Sequence, residues 1–354
     1  MQDGGRLVAV VVIGGGAIGL LVAGKLAQAG EAVALVARPA AAEASARYGL
    51  RIAQGGELAQ TPAISAAPEA GALPPAFQQP ELAVLCVKSY DTAGALPALL
   101  VLRPAHTLTL QNGIGNEERL AEALGAARVL SGAITTSVTT RPAEAGPTEV
   151  TVTKWGGIGV APVDSASAPA AERAAALLAA AGFALRRYGD YRALKWSKAL
   201  LNMLGNATAA ILDMPVEAVY ADDRLVALER RAFMEALAVM RRLGIRPLNL
   251  PRYPAALLAL AMRLPRALLY PVLRRAIAGG RGGKDPSLLG DLRRGSARSE
   301  GEVLYGAVAQ AAASAGVAAP VNAALWRTLQ AIAGRVEPWE RFRHKPDELL
   351  AAVG

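Results

Sequence analysis

Three polar residues, Lys198, Asn202 and Asn206, recur every four positions in the segment Lys-Ala-Leu-Leu-Asn-Met-Leu-Gly-Asn. At 3.6 residues per turn, this spacing sets them along one side of a helix, with a drift of about 40° per step. Ala199, Leu200, Leu201, Met203 and Leu204 surround them, so the helix is expected to be buried. A buried amide without a partner costs on the order of 1–3 kcal/mol, so the stripe must meet something. Two arrangements satisfy it: an interhelical hydrogen-bond ladder with Lys198 reaching solvent, or a polar ligand. A lysine desolvated on such a helix has a lowered pKa, which suits proton donation near neutral pH.

A second group lies near the start, where Val11-Val12-Ile13-Gly14-Gly15-Gly16-Ala17-Ile18-Gly19 carries glycines in GxGxxG spacing. Gly14 permits a tight turn, Gly16 lets backbone approach a pyrophosphate, and Gly19 lets the next helix pack closely on the sheet. The free N–H groups at that helix start suit phosphate, with Ala17 and Ile18 lying between the glycines. Arg38 follows the second strand, where a carboxylate would bind ribose hydroxyls. A guanidinium there suits a 2′-phosphate, so the expected cofactor is NADP(H) rather than NAD(H).

Two further motifs follow predicted strands, at the ends where open α/β sheets bind ligands. They are Val87-Lys88-Ser89-Tyr90-Asp91 and Gln111-Asn112-Gly113-Ile114-Gly115-Asn116. Taken singly, Asn-Gly is also a common turn pair and Lys88 also reads as a solvated loop lysine. Ser287, Asp291 and Glu300 stand later, in Asp-Pro-Ser-Leu-Leu-Gly-Asp and Ala-Arg-Ser-Glu-Gly-Glu. Residue physics reads Pro286-Ser287 as a helix start and Glu300 as a surface helix residue.

The elements that must position these groups fall into two halves. Leu7–Ile13, Val33–Val36, Leu82–Val87, Thr107–Gln111 and Val129–Thr135 read as short buried strands, several spaced for crossover helices. The first helix runs from Leu20 to Gln28 and closes at Gly30. Ala53–Pro80 reads as loops and weak strands, and Glu149–Trp155 with Gly157–Val160 as an antiparallel pair. Helical stretches then cover Ala193–Ile211, Leu225–Leu243, Ala255–Arg275 and Glu302–Ala315, with Gly279–Lys284 as a flexible connector. The expected fold class is α/β: a Rossmann-type dinucleotide-binding domain over 1–190, then an all-helical catalytic domain over 191–354. The active site is expected in the cleft between them.

Composition narrows the function classes. A chain of 354 residues is long enough for two cores. The uncharged run 7–24 resembles a signal peptide or short span, but its five glycines weaken a lone helix. Tyr253–Met262 is too short to cross a bilayer. A lone Cys86 forbids an intrachain disulfide and suits a reducing cytoplasm, and with only His106 and His344 a zinc site of ordinary spacing is excluded. Net charge +9 suits nucleic acid, anionic lipid or acidic small molecules. Sparse aromatics disfavour a nucleic-acid platform. The simplest partner is a small carboxylate substrate beside a phosphorylated cofactor, with neither nucleic acid nor membrane, and the apolar helical half leaves room for a homodimer.

In order and spacing, these motifs resemble the ketopantoate reductase (2-dehydropantoate 2-reductase) family over nearly the whole chain. The resemblance rests on the glycine turn with Arg38, Lys88-Ser-Tyr-Asp, Gln-Asn112-Gly and the Lys198, Asn202, Asn206 series. Ser287, Asp291, Arg298-Ser299-Glu300 and Gly306-Ala-Val complete it. It implies NADPH-dependent reduction of ketopantoate to pantoate for coenzyme A synthesis. Lys198 would be the general acid, and Glu300 would orient substrate or complete the lysine's hydrogen-bond network. Asn202 and Asn206 would bind substrate and hold the lysine, Ser287 would bind the carboxylate, and Lys88 and Asn112 would contact cofactor and substrate.

The chain departs from the family pattern at Gly295-Ser-Ala-Arg298-Ser299-Glu300, which carries one extra residue. Leu288 and Gly290 replace the usual Met and Gln, and Pro247–Lys284 is longer than in the compact family form. A reductase of another 2-oxo or 3-hydroxy acid is the alternative, and a non-catalytic NADPH sensor is a third reading.

Overall fold

A computed structural model of the chain describes residues 9–278 and 285–354; the connector expected at Gly279–Lys284 lies outside them. The chain divides into two compact units, residues 1–111 with 116–191, and residues 192–354 with 112–115.

Unit 1 begins with β1 (Ala9–Ile13), α1 (Ala17–Gln28), β2 (Ala32–Val36) and α2 (Pro39–Tyr48). Next come β3 (Leu50–Gln54), β4 (Glu57–Gln60), β5 (Ser65–Ala67), β6 (Leu82–Leu85) and α3 (Thr92–Leu102). The unit continues with β7 (His106–Thr109), α4 (Asn116–Leu124), β8 (Val129–Ile134), β9 (Ser137–Arg141) and β10 (Thr148–Lys154). It closes with β11 (Ile158–Pro162), α5 (Ala168–Ala180) and β12 (Leu185–Arg187).

Eight strands form one sheet in the order β12-β11-β8-β7-β6-β1-β2-β5. All of its pairings are parallel except β8 with β11. Strand β1 is apolar throughout because both of its faces are covered. Val10 and Val12 enter one core with Leu21 and Leu26 of α1, while Val11 and Ile13 enter another with Leu99 and Leu102 of α3. Chain order reverses at β1, which has β2 on one side and β6 on the other. Such a reversal leaves a crevice at the strand ends, where this fold binds ligands.

The antiparallel pair expected from Glu149–Trp155 and Gly157–Val160 does not form. Strand β10 instead joins β3 and β9 in a second sheet of order β4-β3-β10-β9, while β11 joins β8 and β12 in the first. Thr135 and Thr136 bind the Gly156-Gly157 link between them: Gly157 N donates to Thr135 Oγ1 (2.9 Å) and Gly156 N to Thr136 Oγ1 (3.2 Å). The intervening backbone groups find partners away from each other, so no tight hairpin closes.

Unit 2 is helical. Its elements are α6 (Tyr191–Met203), α7 (Asn206–Leu212), α8 (Val216–Ala221), α9 (Asp223–Arg242), α10 (Ala255–Ala261) and α11 (Arg266–Ala278). Then follow α12 (Ser287–Arg293), a π-helical turn over Glu302–Gly306, α13 (Ala307–Ala315), α14 (Pro320–Ala333) and α15 (Pro346–Val353). Two expected continuous helices are broken. Ala255–Arg275 splits at Pro265, which cannot supply the N–H a continuing helix needs. Ala193–Ile211 splits at Leu204-Gly205, where Gly205 adopts φ +64°. A Cβ there would lie 2.7 Å from Val216, so both the turn and the packing require glycine. No helix among the described residues is long and apolar enough to cross a membrane.

Candidate active site

The glycine loop of unit 1 is shaped by backbone contacts. Gly14 has φ +115°, and a Cβ on it would meet Val87 N at 2.8 Å; one on Gly19 would meet Gly14 O at 1.8 Å. Both glycines are therefore fixed by sterics. Gly16 differs, because a Cβ there would meet nothing within 4 Å. The space before α1 is open, and α1 has neither a side-chain cap nor an acidic residue in its first turn. Its leading N–H groups and positive dipole end suit an anion, so the fit of these residues to a dinucleotide pyrophosphate is good.

Arg38 stands exposed just after β2 at the start of α2, and no carboxylate among the described residues pairs with it. Lys88 is half-buried in the loop after β6. That loop rests on a buried amide–hydroxyl network which sequence reasoning missed. Gln111 Nε2 donates to Thr92 Oγ1 (2.9 Å) and to Lys88 O (3.4 Å), Thr92 Oγ1 donates to Ser89 O (2.7 Å), and Asn116 Nδ2 donates to Ser89 Oγ (3.2 Å). Cys86 packs near Gly19, and burial pushes its thiol up to about 12, so it remains a neutral packing residue.

In unit 2, α6 is buried from Ala193 to Met203 except at Lys198, Leu201 and Asn202, which keep partial exposure. Lys198 and Asn202 thus share one side of α6, as their spacing predicts. Asn206 does not continue that helix; it opens α7 beyond the Gly205 turn. Its buried amide bridges three segments: Nδ2 donates to Asn202 O (3.0 Å) and Ser287 Oγ (3.5 Å), while Oδ1 accepts from Leu288 N (3.3 Å). Asn202 Nδ2 donates to Asn112 Oδ1 at 3.1 Å. Asn112, Asn202, Asn206 and Ser287, far apart in the chain, therefore form one hydrogen-bonded series.

The π-helical turn ties this series together. Gly113 has φ +90° and lies where a Cβ would strike the Val303 side chain at 2.3 Å, while Ile114 N donates to Val303 O (2.9 Å). Asn112-Gly113 is thus a close-packed contact that only glycine permits. Two residues on, Tyr305 Oη donates to Met203 O and accepts from Ala207 N (3.0 Å), bridging the gap between α6 and α7. Buried Glu229 of α9 accepts from Gly205 N (2.6 Å) and from the Thr208 hydroxyl, capping the α7 N-terminus. At the other end of α7, its C-cap Asp213 accepts from Arg293 (2.9 Å) and Arg343 (2.7 Å). Glu229 at the start matches the helix dipole, and at the end two guanidinium groups offset the Asp213 carboxylate that the dipole would disfavour.

Glu300 is buried in the turn before the π-helical segment, so it is no surface helix residue. Buried Asp291 pairs with Arg294 (2.6 Å), and Ser287 is exposed at the start of α12. Tyr305, Glu229 and Thr208 gave no sequence signal, because each acts across a distance of the chain that spacing does not encode. The π-turn lies at Glu302–Gly306, and such turns often mark functional sites.

A mixed, doubly wound sheet with a phosphate-ready glycine loop, followed by a helical unit displaying a lysine among bonded amides, defines an NAD(P)H-dependent oxidoreductase. The chain belongs to the ketopantoate reductase PanE/ApbA family: the family model matches residues 10–165 and its C-terminal partner residues 190–333. It is similar to the 2-dehydropantoate 2-reductase of Halobacterium salinarum, 31% identical over 88% of this chain and 94% of that one. It is also similar to that of Pyrococcus horikoshii, 28% identical over 91% and 96%. The solved PanE/ApbA family ketopantoate reductase of Ralstonia eutropha superposes with TM-score 0.74 at 28% identity, covering 92% of this chain and 99% of that one. A D-mandelate dehydrogenase solved with NADH and anilino(oxo)acetate shares the fold, with TM-score 0.74 at 19% identity over 93% and 99% of the two chains. The protein is an oxidoreductase of the 2-dehydropantoate 2-reductase type.

Proposed function

We propose that this protein reduces 2-dehydropantoate to pantoate with NADPH. The observation that carries the proposal is the hydrogen-bonded series Asn112–Asn202–Asn206–Ser287, with Lys198 one turn before Asn202. The relatives' names supply the substrate. Gly14, Gly16, Ala17, Ile18 and Gly19 would hold the pyrophosphate, and Lys88 and Asn112 would contact the cofactor further along. Exposed Arg38, with no acidic residue beside it, would bind the 2′-phosphate. When bound, the nicotinamide supplies the hydride.

The chain's own residues handle the oxygen. Lys198 donates a proton to the keto oxygen as charge develops there. Asn202 binds the substrate's oxygen atoms, and exposed Ser287 contributes to carboxylate binding. The amide of Asn206 is bonded at both ends, so its part is positioning: it sets Asn202 and Ser287 at a fixed spacing. Buried Glu300 would orient the substrate or complete the lysine's hydrogen bonding.

Loss of NADPH absorbance against a panel of 2-oxo acids tests the proposal. Ketopantoate is expected to show the highest kcat/KM. A second reading, action on another 2-oxo or 3-hydroxy acid, is favoured by Leu288 and Gly290 on α12, beside the Asn206 bridge; it predicts a different best substrate. Tight NADPH binding with no turnover of any panel member would overturn both in favour of a sensor. The domain assignment proposed is 1–190 for the cofactor and 191–354 for substrate, and a homodimer remains part of this reading.

A further inference from the structure

The net positive charge of this protein is concentrated in one stretch of its sequence. Residues 236–278 hold eight arginines and no aspartate or glutamate, whereas the chain as a whole carries +9. The same stretch contains five of the nine large hydrophobic side chains that stand exposed among the described residues. These are Leu257, Leu260, Leu264, Leu268 and Val272, each more than 40% exposed. Leu257 and Leu260 are three residues apart on α10, and Leu268 and Val272 four apart on α11, intervals that put each pair on one side of its helix, with Leu264 in the bend between them.

The inner side of this stretch is firmly attached. Ala259, Met262, Leu269, Tyr270 and Leu273 are buried in the core of unit 2. Arg230 donates to Met262 O (3.0 Å) and Leu264 O (2.9 Å), which holds the bend, and Arg274 donates to Tyr220 O (2.7 Å) and pairs with Asp223 (2.5 Å). The outer leucines take no part in that packing. Beside them Arg252, Arg263, Arg266 and Arg275 are exposed and form no ion pair among the described residues.

We propose that the outer side of α10 and α11 docks on an anionic membrane surface, with the leucines entering among the headgroups and the arginines meeting lipid phosphates. An apolar stripe flanked by cations is the pattern of an interfacial helix. At seven and thirteen residues, α10 and α11 are too short to span a bilayer, so the attachment is peripheral. Charge selects this occupant over a second copy of the chain, since a two-fold contact would set the same acid-free stretch against itself. A nucleic acid would answer the arginines but leave five apolar side chains in water.

Co-sedimentation of the full chain with phosphatidylcholine vesicles, with and without phosphatidylglycerol, tests the proposal, with analytical ultracentrifugation run in parallel. Binding is expected only with phosphatidylglycerol, and it should weaken as salt rises. Leu268→Ser with Val272→Ser, and separately Arg263→Gln with Arg266→Gln, should each cut partitioning by roughly tenfold or more. All four positions are exposed, and unchanged circular dichroism verifies the fold. Absence of vesicle binding would overturn the proposal, as would binding unaffected by the leucine and valine changes. A dimer that Leu268→Ser dissociates would overturn it in favour of self-association.

Discussion

In unit 1 the candidate ligand surface is main chain. Gly14 and Gly19 clear space for one another, Gly16 faces an opening, and the N–H groups of α1 are the proposed anion donors. In unit 2 the candidate surface is side chain, gathered from stretches around residues 112, 198–206 and 287 and held in place by buried Glu229 and Tyr305. A backbone site is specified by a few adjacent residues that must lack side chains. A side-chain site is specified by long-range hydrogen bonds, each of which a distant residue can break. The first should fail through steric exclusion and the second through loss of alignment.

The largest effect expected is on the side-chain site. Lys198→Ala should lower kcat by roughly 10²–10⁴-fold, with NADPH affinity nearly unchanged by fluorescence titration. Unchanged turnover would remove the lysine from the mechanism and leave unit 2 a binding scaffold. Gly19→Ala places a methyl group against Gly14 O and should cost about 2–4 kcal/mol in urea unfolding while abolishing NADPH binding. If that variant binds normally, the loop is more adaptable than its geometry indicates.

Arg38→Ala should weaken NADPH by about tenfold to a hundredfold and NADH little, since a charge-assisted hydrogen bond is worth about 1.5–3 kcal/mol. Equal losses for both nucleotides would refute the 2′-phosphate assignment. Tyr305→Phe removes the hydroxyl shared by Met203 O and Ala207 N and should destabilise unit 2 by about 1–3 kcal/mol. It should also lower kcat more than it raises KM, a split that a purely structural role would not produce.

The smallest effect concerns acid. Desolvation works to raise the Asp213 pKa, but hydrogen bonds and charge from Arg343 and Arg293 outweigh it and hold the carboxyl below the usual range. Its stabilisation is therefore complete above the unfolded value of about 3.9 and is lost as pH falls through the lower folded value. Asp213→Asn should cost about 1–2 kcal/mol at neutral pH, a modest figure because Arg293 and Arg343 are 46% and 41% exposed. Thermal melts should show the wild-type advantage shrinking in strong acid; a constant advantage would mean the carboxylate charge contributes nothing.

The legibility of the two surfaces follows the same division. The strands, the glycine turn and the spacing of Lys198 with Asn202 were readable, because each is a local pattern with a local physical cause. Asn206 was placed one helix too early, since the Gly205 turn depends on Val216 and Tyr220 packing against it. The separation of β10 from β11 into two sheets was hidden for the same reason: neighbouring strands look like a hairpin unless a third segment claims them. Glu300 looked like a surface residue because its burial depends on the π-helical turn beside it.

By itself, the sequence determined what short range can impose: a doubly wound dinucleotide fold, a helical second half, and a lysine and asparagine on one side of α6. Tertiary structure decided which distant groups complete the polar series, that Tyr305 and Glu229 hold the break between α6 and α7, and that an arginine-rich face is left outward. The physical reason is reach. Backbone sterics and helical period act over a few residues, whereas a buried hydrogen bond is satisfied by whatever residue the fold brings within about 3 Å.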